Sequence, residues 1–351
     1  MEEFKSDLPH NNYTNGGSIT ARCSSNIALI KYWGKKNIQI PMNPSLSFTL
    51  KESFTESNVK FMPKDCEGFM VNVYLDNQLN ELFVPRIYIF FERIEPYVPF
   101  LRSFEFEIHT HNTFPHSSGI ASSASGMGAL ALCLVEMEAK FGAEFTEEEK
   151  LKKASFLARL GSGSACRSLY PGLAVWGKSE FVKGSSDLYA VPYPYEVHKI
   201  FRNFQDTILL IDEGRKKVSS STGHKLMENH PYAKQRFVSA SENLGKMIPA
   251  LKEGNLKAFG EIVEHEALSL HAMMLTSFPS FILMKPGTIA AIEKIREFRK
   301  QTSAHLFFTL DAGANVHLLY PRNEKNICMN FIENELKQFC ANGKFINDFC
   351  F

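Results

Sequence analysis

The chain has 351 residues, 44% apolar and 22% charged, which gives room for one large domain or two ordinary ones and excludes global disorder. Its 39 basic and 38 acidic residues leave a formal charge of +1. That excludes the strongly basic field of a nucleic-acid binder or a polybasic membrane-surface protein, so any anion must be held by a local cluster.

The 7 cysteines are odd in number and form no CxxC pair. They argue against a disulfide framework or a structural zinc site, and fit reduced thiols in a cytoplasmic protein. Residues 1–17 are polar, without a basic region or an apolar core, and read as a flexible leader rather than a signal peptide. No apolar run is long enough to span a bilayer.

Residues 18–50 read as strand, loop, strand, with Ile27, Leu29 and Ile30 apolar and Leu46, Phe48 and Leu50 alternating. The stretch FEFEIHT (104–110) places Phe104, Phe106 and Ile108 on one face, a half-buried strand. A loop of small polar residues then runs into an apolar helix over 123–141, with Gly142 as its stop. A second helix spans 146–160, opened by Thr146 and an acidic first turn. GSGSACRS precedes a strand, LAVWGK, and DTILLID (206–212) reads as a buried strand. Helical patterns cover 231–251, 256–271 and 287–302. Strands HLFFTLDAG and NVHLLY follow, and a helix over 323–339 ends the series. The order of elements predicts an α+β fold, and a composition shift at 192–195 predicts two halves, 18–192 and 193–351.

Four segments carry chemistry, each with a plain structural reading beside it. PHSSGIASSASG (115–126) joins a strand to a helix. Small residues, hydroxyls and a helix N-terminus suit a phosphate, but equally a Ser-rich helix cap. It is neither a GxxxxGK[ST] loop nor a GxGxxG turn. GSGSACRS (161–168) sets Arg167 among glycines and hydroxyls, either a clamp for carboxylate or phosphate or a solvated arginine on a loop. NIALIKYWGK (26–35) gathers two lysines and two aromatics, a cationic pocket or a strand end. FTLDAGAN (308–315) ends a strand on Asp311, a base or a turn aspartate. The histidines add no metal site: HEALSLH (265–271) lacks the HExxH spacing, and His109 and His111 read as core or rim.

In this order the four segments resemble the diphosphomevalonate decarboxylases of the GHMP kinase superfamily, which includes galactokinase, homoserine kinase and mevalonate kinase. The family's N-x-A-x-x-KYWGK matches residues 26–35, its GLASSAAG matches GIASSASG at 119–126, SGSACRS matches 162–168 unchanged, and DAGxN matches 311–315. The resemblance covers most of the chain, from about 21 to 339. It implies ATP-dependent decarboxylation of mevalonate 5-diphosphate to isopentenyl diphosphate, in the mevalonate pathway of isoprenoid biosynthesis. The implied fold has two lobes, an N-terminal α/β lobe with the phosphate loop and a ferredoxin-like C-terminal lobe.

The resemblance also implies roles. Asp311 is the catalytic aspartate near the substrate's 3-hydroxyl, Lys31 its neighbour at the reacting centre, and Arg167 the clamp on the carboxylate. Asn26 is a polar anchor, and Tyr32, Lys35 and Ser164 bind the diphosphate end. Ser220 matches a substrate-binding serine, its register blurred by an extra serine. Gly119, Ala121, Ser122, Ser123 and Ala124 contact ATP, with Ser123 reaching Mg²⁺ through the nucleotide. ATP and Mg²⁺ are the implied cofactors, and a homodimer the implied assembly.

The sequence departs from the family at His116, which bears on base preference. Residues 70–83 match the family's WLNG region poorly, so no substrate arginine is carried over from there. A phosphomevalonate decarboxylase, a mevalonate 3-kinase and an inactive phosphometabolite-binding protein remain as rivals.

Overall fold

The computed structural model describes residues 1–8, 15–115, 120, 122–214 and 220–350, without the side chains of Ser220 and Ser221. Its first half runs β1 (Gly17–Ile30), β2 (Lys35–Lys36), β3 (Ile40–Pro41), β4 (Ser45–Pro63), β5 (Met70–Leu75), β6 (Gln78–Leu79), α1 (Val84–Ile94), β7 (Phe104–Asn112), α2 (Ser122–Lys140), α3 (Glu147–Gly161), β8 (Leu173–Trp176) and β9 (Val191–Pro192). The second half contains β10 (Phe204–Leu209), α4 (Ser220–Lys225), α5 (Ala233–Glu253), α6 (Leu256–Leu275), α7 (Pro286–Thr302), β11 (Phe307–Thr309), β12 (Val316–Tyr320), α8 (Lys325–Phe331) and β13 (Phe345–Cys350).

Strand β4 is the spine. Its Ser45–Phe48 stretch pairs with β8, Leu50 meets Cys350 of β13, and Thr55–Pro63 pairs with β7, while β1 runs antiparallel along nearly all of it. The sheet order β11-β12-β10-β13-β4-β7-β5-β6 therefore carries one hydrogen-bonded surface across both halves of the chain. Apolar alternation explains the pairing. Val59 and Phe61 of β4 and Phe104, Phe106 and Ile108 of β7 all turn into one core, covered by α1, α2 and α3. A second core joins the lobes, where Ile27, Leu29, Ile30, Leu46 and Phe48 meet Ile208, Leu319 and Phe259.

Thr146 caps α3 as read from the sequence, accepting from Glu149 N while the Glu149 carboxylate returns to Thr146 N, a reciprocal capping box. Residues 1–8 depart from the loose leader expected of 1–17. Phe4 is 3% exposed and stacks on Phe156 with centroids 4.0 Å apart, and Glu3 pairs with Lys152 at 2.9 Å. One aromatic anchor outweighs the polar composition around it.

The helix expected over 323–339 is broken into a 3₁₀ turn (Arg322–Glu324), α8, a π turn (Ile332–Leu336) and a second 3₁₀ turn (Lys337–Phe339), which together keep Phe331, Ile332 and Leu336 buried. Strand β13 lies beyond the elements read from the sequence. Its Asp348 accepts the main-chain N–H groups of Lys51, Glu52 and Ser53 at 3.0, 2.9 and 2.7 Å, just where β4 leaves it, so a buried carboxylate closes the gap in the ladder.

Candidate active site

Strand β1 delivers the first two residues. Its register with β4 slips between Ser24 and Asn26 and again between Ala28 and Ile30, and such bulges re-aim the side chains that follow. Lys31 follows the second slip and is 1% exposed. Its ammonium lies 2.9 Å from an Asp311 carboxylate oxygen. Burial lowers the Lys31 pKa, and the field of Asp311 opposes that shift. Asp311 stands just beyond β11 in a turn closed by Gly313 N on its own carbonyl at 2.7 Å. Ile30 and Leu310, the apolar residues just before the two, are fully buried, so both charged groups are held at the edge of the apolar interior.

Arg167 lies in a short 3₁₀ turn (Gly163–Leu169) and is 2% exposed. Its Nε donates to Ser47 Oγ at 3.0 Å, Nη1 to Ser45 Oγ at 2.7 Å and Nη2 to Asn26 Oδ1 at 3.3 Å. Among the described residues no carboxylate is within ion-pair distance of it, while the fields of Arg167, Lys31 and Asp311 reach one another. Burial lowers its pKa as well. Asn26 is held in turn by donating to Ser168 Oγ at 2.7 Å and to the Ser164 carbonyl at 3.3 Å. A buried guanidinium satisfied only by neutral groups is a charge that an incoming anion would complete. The solvated-loop alternative for Arg167 is excluded by its burial.

Beside this group lies Tyr32, edge-on to Trp176 with centroids 4.7 Å apart. Its hydroxyl is buried and has no hydrogen-bond partner among the described residues. Gly163 is required here, since a Cβ would come within 2.8 Å of the Trp176 ring and 3.0 Å of the Tyr32 hydroxyl. Gly34 turns the KYWG segment at φ +94°, where a Cβ would strike Phe237 at 2.9 Å. Lys35 is half-buried and donates to Gln39 Oε1 at 3.2 Å; burial lowers its pKa, and the Arg93 guanidinium adds to the shift. Arg93, at the end of α1, donates to the Leu160 carbonyl at 2.8 Å.

The phosphate-loop residues are only partly described. Ser122 and Ser123 are the first residues of α2, half-buried and exposed respectively, and Ala124 is buried behind them. A helix N-terminus suits an anion through its N–H groups and dipole. Gly119, Ala121 and His116 lie outside the described residues. Ser220 opens α4, its side chain likewise undescribed, and Ser164 sits half-buried on the Arg167 turn. The structure thus brings Lys31, Asp311, Arg167 and Asn26 together. Among the described residues no hydrogen bond joins Lys35, Ser122 or Ser123 to them.

Sequence reasoning missed several neighbours. Ser45 and Ser47 are ordinary strand serines until Arg167 is seen to reach them across 122 and 120 positions. Arg93, near the end of α1 and just beyond the poorly matching residues 70–83, gave no signal. His224 lies between Tyr32 and Trp33, centroids 4.3 and 4.5 Å away, and accepts from Gly34 N at 2.9 Å. Burial, with Lys35 adding, drives its pKa down to about 3, so it is neutral. Its place four residues after Ser220 was the one available hint.

A buried guanidinium with only neutral partners and a buried lysine paired with an aspartate, together with a serine-led helix in the same fold, fit a small-molecule enzyme of the GHMP kinase fold. Comparison with known proteins narrows the class. Residues 23–189 match the model of the diphosphomevalonate decarboxylase-like N-terminal domain, and residues 207–348 that of the mevalonate 5-diphosphate decarboxylase C-terminal domain. The chain belongs to the diphosphomevalonate decarboxylase family and is a decarboxylase.

It is 29% identical over 322 residues to the diphosphomevalonate decarboxylase of Eremothecium gossypii, covering 86% of this chain and 78% of the relative. The human enzyme is 27% identical over 316 residues, covering 85% and 75%. The crystal structure of mevalonate diphosphate decarboxylase from Staphylococcus aureus superposes with a TM-score of 0.82 at 29% identity, covering 96% of each chain. A complex of MDDEF with MVAPP, AMPPCP and magnesium superposes at 0.81 and 29% identity, covering 95% and 97%.

Proposed function

We propose that the chain converts mevalonate 5-diphosphate and ATP to isopentenyl diphosphate, ADP, phosphate and carbon dioxide, with Asp311, Lys31 and Arg167 at the reacting centre. The observation that carries this reading is the Lys31–Asp311 pair facing a buried guanidinium that lacks a carboxylate. Arg167, aligned by Ser45, Ser47 and Asn26, holds the substrate carboxylate. Asp311 accepts the proton of the 3-hydroxyl as that oxygen takes the γ-phosphoryl group of ATP. The C3–O bond then breaks with its pair leaving on phosphate, and positive charge grows at C3 beside the Asp311 carboxylate. The C1–C2 bond breaks, its electrons close the C2–C3 double bond, and carbon dioxide departs.

Tyr32, Lys35 and Ser164 bind the diphosphate, with the Arg93 charge alongside and Ser220 closing the pocket. The unpartnered Tyr32 hydroxyl and the half-buried Lys35 fit an anion there. Gly119, Ala121, Ser122, Ser123 and Ala124 cradle ATP. Magnesium, held at Ser123 through the nucleotide, would neutralise charge on the transferred phosphoryl group. The reading extends to two lobes divided near 192, a homodimer and a cytoplasmic location. No described helix is long and apolar enough to cross a membrane.

The test is carbon dioxide release from C1-labelled mevalonate 5-diphosphate with Mg-ATP, run beside the 5-monophosphate and free mevalonate. Release from the diphosphate matched by ADP is expected. ADP without carbon dioxide makes the chain a 3-kinase, and release from the monophosphate alone overturns the pocket. Asp311→Asn is expected to lower turnover by roughly 10²–10⁴-fold while ATP still binds, and near-normal turnover would sink the assignment.

A further inference from the structure

The two members of the Lys31–Asp311 pair come from different lobes, and neither sits inside a regular element. Lys31 has just left β1, and Asp311 has just left β11. Something must hold their main chains at a fixed separation, or a carboxylate that is 28% exposed swings in its turn. Helix α6 contacts both. Its Glu266 is fully buried and accepts Lys31 N at 2.8 Å. The remaining acceptor positions of Glu266 are filled by Arg236 at 3.0 and 2.5 Å and Asn243 at 2.7 Å. Arg236 also donates to the Lys31 carbonyl at 3.4 Å. Five residues on, His271 is 2% exposed and its Nε2 lies 3.1 Å from the Asp311 main-chain carbonyl.

We propose that His271 is a positioning residue for the reaction: α6 acts as a ruler, fixing Lys31 through Glu266 and Asp311 through His271. This rests on the reading of Asp311 and Lys31 as the reacting pair. A carbonyl only accepts, so Nε2 carries the proton and the ring is held as one tautomer. Burial lowers the His271 pKa to about 4; Lys31 adds to that shift and Asp311 opposes it, and these are the charged groups whose fields reach the ring. The ring is therefore a neutral donor near neutral pH. Five residues of helix span about 7.5 Å along the axis, a distance that main-chain hydrogen bonds keep rigid. Without the His271 bond the turn loses the contact that ties the Asp311 main chain to α6.

The test compares His271→Leu, which removes the donor, His271→Asn, whose amide is too short to reach, and His271→Gln, which can donate at nearly the same distance. Expected for Leu and Asn is a fall in kcat of roughly 10–100-fold, the cost of a misplaced catalytic group, with KM for both substrates within about twofold. Gln restores kcat to within about threefold. In Leu and Asn the acid limb of the kcat profile moves to higher pH, because a carboxylate drifting from the Lys31 ammonium is protonated more easily. A merely structural role moves unfolding stability but not that limb, so the Asn variant keeps the test open if Leu fails to fold.

Unchanged kcat in a folded Leu or Asn variant overturns the proposal. So does a loss confined to KM, or failure of Gln to rescue. Asp311→Asn is assayed in parallel. If it retains turnover the catalytic assignment itself has failed, whereas an inactive Asp311→Asn beside a fully active His271→Leu refutes the ruler alone.

Discussion

Arg167→Gln separates binding from stability in an unusual direction. Removing one partner of a buried ion pair ordinarily costs about 3–5 kcal/mol, because a charge is left uncompensated. Arg167 is buried, but the groups it touches are Ser45, Ser47 and Asn26, all neutral. Its replacement strands no charge. Glutamine can still donate to one or two of those oxygens, and each neutral hydrogen bond lost costs about 1 kcal/mol. Against that stands relief from holding a desolvated guanidinium, whose pKa burial already lowers. The ligand-free variant is expected within about 2 kcal/mol of the parent, on either side, rather than severely destabilised.

Binding moves the other way. A bidentate guanidinium–carboxylate contact comprises two charge-assisted bonds of about 1.5–3 kcal/mol each, so its loss costs about 3–6 kcal/mol, or roughly 10²–10⁴-fold in kcat/KM. Both KM and kcat are expected to suffer if, as proposed, the contact holds the substrate and also aligns the breaking bonds. Urea unfolding of the free protein, steady-state kinetics and the thermal shift on adding mevalonate 5-diphosphate measure the terms separately. Loss of the thermal shift with near-parental free stability is expected. A large destabilisation of the free variant together with an unchanged KM would refute the argument, and would make Arg167 a structural strut.

Two further predictions concern buried polar groups. Folding depresses the pKa of His224 to about 3 and of His271 to about 4, both below the ordinary 6.5. Each therefore stabilises fully above pH 6.5 and loses that contribution as pH falls towards its folded value, on the order of 3–5 kcal/mol per group across the window. Urea unfolding over a pH series should show this slope, and replacing either histidine by glutamine should flatten it by about one proton; an unaltered slope refutes the assignment.

The second concerns His317 and Asp206, which pair at 2.8 Å with exposures of 2% and 0% in side chain, and burial raises the Asp206 pKa. His317→Leu alone should cost about 3–5 kcal/mol, while His317→Leu with Asp206→Val should recover most of it. Additive losses in denaturant unfolding would show that the pair is not coupled.

The cluster of Lys31, Asp311, Arg167 and Asn26 was legible because its residues are written in short contiguous strings. KYWGK, SGSACRS and DAGAN each carry a reactive side chain together with the small residues that let the backbone turn there. Gly163 illustrates this, since its missing Cβ is what makes room for Tyr32 and Trp176. The long amphipathic helices were legible for a similar reason: α3 announces itself with Thr146 and three glutamates, and α6 and α7 by their apolar period. Local signals of this kind need no knowledge of the fold.

The support of the site was not legible, because it is made of contacts that close over the whole chain. Lys31 N meets Glu266 across 235 positions, and Lys31 Nζ meets Asp311 across 280. In the sequence HEALSLH looks like a failed zinc motif, and that test considers only what a helix could bind by itself. Glu266 and His271 take up backbone groups of two loops from opposite lobes, a role that has no spacing rule of its own. The same applies to β13, whose Asp348 gives no signal until β4 is laid beside it. A buried charge or imidazole in the interior of an amphipathic helix is therefore better read as a question about the partner it must find than as a failed motif.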